Sequence, residues 1–141
     1  MVKSVKPTAT KSSIATMKPI GKPLGPYVSG KIIKTAEGTW GYSAGQIGVN
    51  PTTMELVGKS PVAQAKRALT NLRMLAKANG VTLDGHTVKA TVFLTDMSHF
   101  GPCNEVYSKF FKNSPPARSC IAAASLPKGA LYEIEATFFK P

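Results

Sequence analysis

Residues 60–80 carry the pattern that most restricts the fold. Ser60 suits a helix N-cap, Pro61 the first helical position, and Gly80 a terminator. Between them Ala65, Ala68, Leu69, Leu72, Leu75 and Ala76 recur at helical spacing as one apolar stripe. Lys66, Arg67, Arg73 and Lys77 fill the other positions and read as a solvated face. A helix with one apolar stripe must lay it on a sheet or another helix, so the rest of the chain has to supply that partner.

The rest of the chain supplies strands. Lys31–Thr35 and Trp40–Gln46 are strand-like and are joined by a hairpin turn at residues 36–39. Thr87–Thr95 alternates, with Val88, Ala90, Val92 and Leu94 on one side and Lys89, Thr91 and Phe93 on the other. A second helix is expected over about Phe100–Phe111, with Phe100, Cys103, Tyr107 and Phe110 on one face. Arg118–Ala124 and Leu131–Phe139 read as two further strands. The order strand, strand, helix, strand, helix, strand, strand describes an α+β domain, and right-handed crossovers put both helices on one face of a mixed sheet. The opposite face would expose Phe93, Thr91, Leu131, Glu133 and Glu135. A face so mixed in character suggests burial against another subunit.

A chain of 141 residues suffices for one domain, and 43% hydrophobic against 18% charged residues places it in the globular class. No apolar run approaches a membrane span of about 20 residues. The net charge of +11 by itself suggests nucleic acid, a membrane surface or an anionic small molecule as partner. However, Lys3, Lys6, Lys11, Lys18 and Lys22 fall within the first 22 residues, which hold no acid. We expect a flexible basic arm over residues 1–13 and one domain over 14–141, entered through the Pro/Gly-rich loop up to Tyr27. The expected compartment is the cytoplasm. The Ser/Thr-rich arm keeps a mitochondrial alternative open, and Cys103 and Cys120 are expected as free thiols.

Chemistry concentrates in Pro115-Pro-Ala-Arg-Ser-Cys-Ile121. Strand alternation points Arg118 and Cys120 to one face, and a guanidinium among small apolar residues needs an anion. Two partners fit equally: a bidentate ligand carboxylate, or Glu133 or Glu135 on a neighbouring strand. Those two glutamates share a face and read either as an acid/base pair or as a solvated edge. Tyr27 follows the Gly25-Pro26 turn and suits a packing lid, while Asn104 is open between capping, interface and ligand roles. Cys120 is either a small buried side chain or a thiol activated by Arg118. Neither His86 nor His99 has metal-ligand spacing with a cysteine, and no dinucleotide, phosphate-loop or nucleophile-elbow pattern occurs, so neither metal nor cofactor is expected.

Several segments together resemble the Rid/YjgF family, also known as perchloric-acid-soluble or endoribonuclease L-PSP-type proteins. They are Gly25-Pro-Tyr27, Ala44-Gly-Gln-Ile-Gly48, Val92-Phe-Leu-Thr-Asp96, Asn104-Glu-Val-Tyr107, Pro116-Ala-Arg-Ser-Cys120, Leu126-Pro-Lys-Gly129 and Glu133-Ile-Glu135. The resemblance implies a chorismate-mutase-like fold, a mixed sheet of about six strands with two helices on one face, assembled as a homotrimer with sites between subunits. It implies hydrolytic deamination of 2-imino or 2-enamino acids, released by pyridoxal-phosphate enzymes, to 2-keto acids and ammonia. Arg118 would hold the substrate carboxylate, helped by the backbone near Gly45. Glu133 would position water with main-chain help at Cys120. Tyr27 would close the pocket, and Asn104 would line it. Many members carry a hydroxyl residue where this chain has Ala44; Ser43, next to it, should face away. The competing readings are an RNA-binding or endoribonuclease-type translation inhibitor, motivated by the charge, and a trimer that binds small acids without turnover.

Overall fold

A computed structural model describes residues 11–141. Helix α1 (Pro61–Ala78) starts where its sequence signals place it: the Ser60 hydroxyl accepts from the Ala63 N–H at 3.2 Å, and Pro61 takes the first turn. It ends at Asn79, after which Gly80 adopts φ +77°, the left-handed conformation that glycine reaches without strain. All six expected stripe residues are fully buried.

The stripe packs on a mixed seven-stranded sheet. Its strands are β1 (Ser13–Thr16), β2 (Gly30–Lys34), β3 (Thr39–Ser43), β4 (Gln46–Ile47), β5 (Thr87–Leu94), β6 (Ala117–Ala122) and β7 (Tyr132–Lys140). They lie in the order β1-β2-β3-β7-β5-β6, with β4 also paired to β7 and only β5 and β6 parallel. The single helical turn α2 (Leu83–His86) leads into β5, and α3 (Phe100–Phe110) makes the crossover to β6. Both long helices cover the face that presents Ala90, Val92, Leu94, Ile134, Ala136 and Phe138. None of the helices described is long and apolar enough to cross a membrane.

Several sequence expectations need correction. The first ten residues of the expected basic arm lie outside the described residues, and the stretch after it is not all loop, because Ser13–Thr16 pairs with β2. Beyond β1, Met17 enters the core at 1% exposure, its thioether lying where a Cβ on Gly30 or Gly41 would have to go. The expected strand Trp40–Gln46 breaks at Ala44-Gly45 into β3 and β4. On β5, a bulge between Thr87 and Lys89 turns Val88 out to 43% exposure, so the buried side begins at Ala90. On α3 the inward stripe is Cys103, Val106 and Tyr107, and Phe100 is 40% exposed.

Two polar side chains on α1 are buried as deeply as its leucines and tie the helix to β4. Asn71 Nδ2 donates to the carbonyls of Ile47 (3.2 Å) and Val49 (2.9 Å). Its Oδ1 accepts from Arg67 Nε at 2.9 Å, so one cation of the solvated face has a structural task. Gln64 donates to the Gly58 carbonyl at 2.6 Å and accepts from the Leu131 N–H at 2.8 Å. Gly48 lies against the Gln64 backbone, 2.7 Å from where its Cβ would be, which lets β4 approach this closely.

Candidate active site

The residues singled out from the sequence fall into two groups. The first lies along β6, at one edge of the sheet. Arg118 and Cys120 share a face, as alternation requires, and register with Ala90 and Val92 on the helix-covered side. Arg118 Nη1 donates to Asn104 Oδ1 at 2.8 Å. Its guanidinium stacks over the Tyr107 ring at 4.6 Å and near the Phe100 ring at 5.4 Å, two rings read from sequence as lying on one helix face. Among the described residues the one ion pair within 4.0 Å joins His99 and Asp96, so Arg118 is paired with neither Glu133 nor Glu135. With one protein acceptor engaged, the remaining donors of the half-buried fork are available to an external anion.

Cys120 packs on the core beside this group. Burial pushes its thiol up, and the Arg118 charge offsets that only in part. The Cys103 thiol is pushed up to about 11, by burial first and Cys120 second. Both cysteines are free, and neither has the depressed thiol of a reactive cysteine.

The second group lines a groove of about 410 Å³ on the open side, bounded by Tyr27, Lys31, Tyr42, Ala44, Gly45, Pro127 and Glu133. Its geometry follows from the β3–β4 break. The chain passes so close to Glu133 that a Cβ on Gly45 would collide with the carboxylate. Burial, and then the charge of Glu135, push the Glu133 carboxyl above its ordinary range. Tyr27 stands at the rim, 47% exposed, after a tight turn in which its N–H donates to the Gly25 carbonyl at 2.8 Å. Ser43 turns away, as alternation predicts, and its hydroxyl accepts from the Ala136 N–H at 2.9 Å. Lys31 and Tyr42 had no functional signal in the sequence, and Pro127 stood only within the Leu126-Pro-Lys-Gly129 segment of the family resemblance. They reach the groove only through the pairing of β2 with β3 and the fold-back of the turn before β7.

The two groups do not meet within one chain. Glu133 pairs with Phe93 and, across β5, Phe93 pairs with Ile121, three residues beyond Arg118. Two strand spacings and three residues put the Cα atoms about 14 Å apart, with the side chains on opposite faces. A ligand touching both Arg118 and Glu133 therefore needs a second copy to bring one group over the other.

The family model for endoribonuclease L-PSP matches residues 17–139. A Myxococcus xanthus relative, protein DfrA, is 39% identical over 115 residues, covering 82% of this chain and 86% of its own. The mouse 2-iminobutanoate/2-iminopropanoate deaminase is 44% identical over 95 residues, covering 67% of this chain and 70% of its own. Among solved structures, Escherichia coli TdcF with bound serine superimposes with a TM-score of 0.80 at 32% identity, covering 90% of this chain and 99% of that one.

Proposed function

Because the chain belongs to the endoribonuclease L-PSP, or Rid/YjgF, family, we propose that it hydrolyses 2-imino and 2-enamino acids to 2-keto acids and ammonia, at sites completed between copies of a homotrimer. The observation that carries the proposal is the state of Arg118. It is a half-buried guanidinium, seated on aromatic rings and held by Asn104, with no carboxylate partner among the described residues. A planar carboxylate is the ligand that fork is shaped for.

The reaction asks little of the protein. An imine protonated on nitrogen is electrophilic at C2, and water adds there if it is aimed and a base takes its proton. Glu133 is that base, its carboxyl raised toward the working pH by burial and by Glu135. Glu133 passes that proton to the amine nitrogen of the tetrahedral adduct and takes the adduct's hydroxyl proton as the C–N bond breaks; the keto acid forms, and the departing ammonia picks up the proton from Glu133 and leaves as ammonium. The backbone at Gly45 and Cys120 orients substrate and water, Asn104 fixes the guanidinium, and Tyr27 closes the groove. No metal or cofactor enters these steps. RNA cleavage has less support: His86 Nδ1 accepts from the Thr82 N–H, His99 sits beside Asp96, and neither lines the groove.

The test couples the protein to an amino-acid oxidase or dehydratase and follows keto-acid release while spontaneous imine decay is slow. Wild type should accelerate release. Arg118→Ala should lose roughly a hundredfold or more in kcat/KM, as truncating one member of a buried charge pair does. Equal acceleration by wild type and Arg118→Ala would discard the proposal.

A further inference from the structure

Behind the groove lies a second recess of about 50 Å³ that the chemistry above leaves unused. Tyr27, Ala44 and Gly45 line both spaces. The rest of its wall is chiefly apolar, with Ile20, Pro23, Leu24, Val49 and Met54 supplying most of it. Of the polar groups that reach it, the Ser29 hydroxyl makes no hydrogen bond among the described residues, and the amides are engaged at least in part. Gln46 Nε2 donates to the Ala44 carbonyl at 3.3 Å, and Asn71 is saturated by Ile47, Val49 and Arg67. Lys22 is exposed at the rim.

The recess is built into the fold. Asn79 clamps the start of the loop, accepting from the Lys18 N–H at 2.7 Å and donating to the Lys18 carbonyl at 3.0 Å. A Cβ at Gly21 would lie 2.7 Å from the Pro51 carbonyl oxygen, so glycine lets the loop seat on Pro51. A volume of 50 Å³ holds about three to five water-sized groups.

Resting on the hydrolase reading, we propose that this recess receives the substrate's side chain and selects an aliphatic one of three to four carbons. A charged side chain would lose water there, and no buried opposite charge lines the recess. Each methylene buried is worth about fourfold in affinity. Leu24 at the mouth and Ile20 deeper in set the length that fits.

The experiment compares imines released by an L-amino-acid oxidase from alanine, norvaline and leucine. In parallel, calorimetry measures binding of pyruvate, 2-oxopentanoate, 4-methyl-2-oxopentanoate and 2-oxoglutarate to the intact protein. The norvaline and leucine imines should exceed the alanine imine by at least about tenfold in kcat/KM, and the two aliphatic keto acids should bind tighter than the other two by a similar factor. Leu24→Trp should cut kcat/KM for the norvaline and leucine imines by at least about tenfold more than for the alanine imine, and Ile20→Ala should shift the preference toward longer chains. Hydrolysis of all three imines at similar rates, or a Leu24→Trp loss shared by every substrate, would overturn the recess and leave the hydrolase standing. The chain-length preference in binding without turnover of any imine would sink the hydrolase and uphold the recess.

Discussion

At position 45 a single hydrogen in place of a methyl group decides whether the Glu133 carboxylate can stay where it is. Gly45→Ala should displace that carboxylate and lower kcat by roughly a hundredfold, since about 1 Å of misplacement at a reacting group has that effect. KM should change less, because Arg118 is untouched; a Gly45→Ala enzyme with native kcat would refute the assignment of Glu133. The same carboxylate sets a pH dependence. Its pKa is raised in the folded chain, so folding favours the protonated form and the native state loses stability as pH rises through that raised value. Glu133→Gln removes the penalty. Thermal denaturation across pH should find the variant more stable than native at neutral pH, with the gap closing below the ordinary carboxylate range. The opposite order at neutral pH would contradict the burial argument.

Helix α1 holds β4 through Asn71, and β4 continues directly from Ala44 and Gly45. Asn71→Leu keeps the branched shape but strands two buried carbonyls, a cost of about 3 kcal/mol. We expect a fall in thermal midpoint of roughly 10 °C for a domain of this size. An unchanged midpoint in scanning calorimetry would show that those carbonyls find other donors. Most of this scale was legible in the sequence. The cap, stripe and terminator of α1, the hairpin at residues 36–39 and the shared face of Arg118 and Cys120 are local patterns that tertiary contacts do not override. The misses came from contacts between distant segments. Nothing near Asn71 announces that β4 will lie against it, nothing near Ser13 announces β2, and the Val88 bulge appears only once β7 sets the register. The site was legible as a set of residues but not as an arrangement. Arg118, Asn104, Tyr27, Gly45 and Glu133 carry their chemistry in their side chains or their smallness, whereas the division into two groups follows from strand order.

Over the whole molecule, the open sheet face carries Thr91, Phe93, Ser119, Ile121, Glu133 and Glu135, and Ile121 is 48% exposed. The proposed homotrimer covers this face, and sedimentation should give about three times the 14.9 kDa chain mass, whereas a monomer at working concentrations would leave the catalytic groups apart. The basic surface belongs to this scale as well. If polyanions bind only through the net charge of +11, their affinity should fall steeply between low and physiological salt.

The separation of Arg118 from Glu133 across the sheet has a genetic corollary. If the proposed roles hold, chains carrying Arg118→Ala and chains carrying Glu133→Gln should each be severely impaired alone, yet each keeps the half the other lacks. Unfolded together in equal amounts and refolded, they should assemble at random into trimers in which about a quarter of all clefts, one in each mixed trimer, combine two intact halves. Two crippled proteins would then make a partly living one.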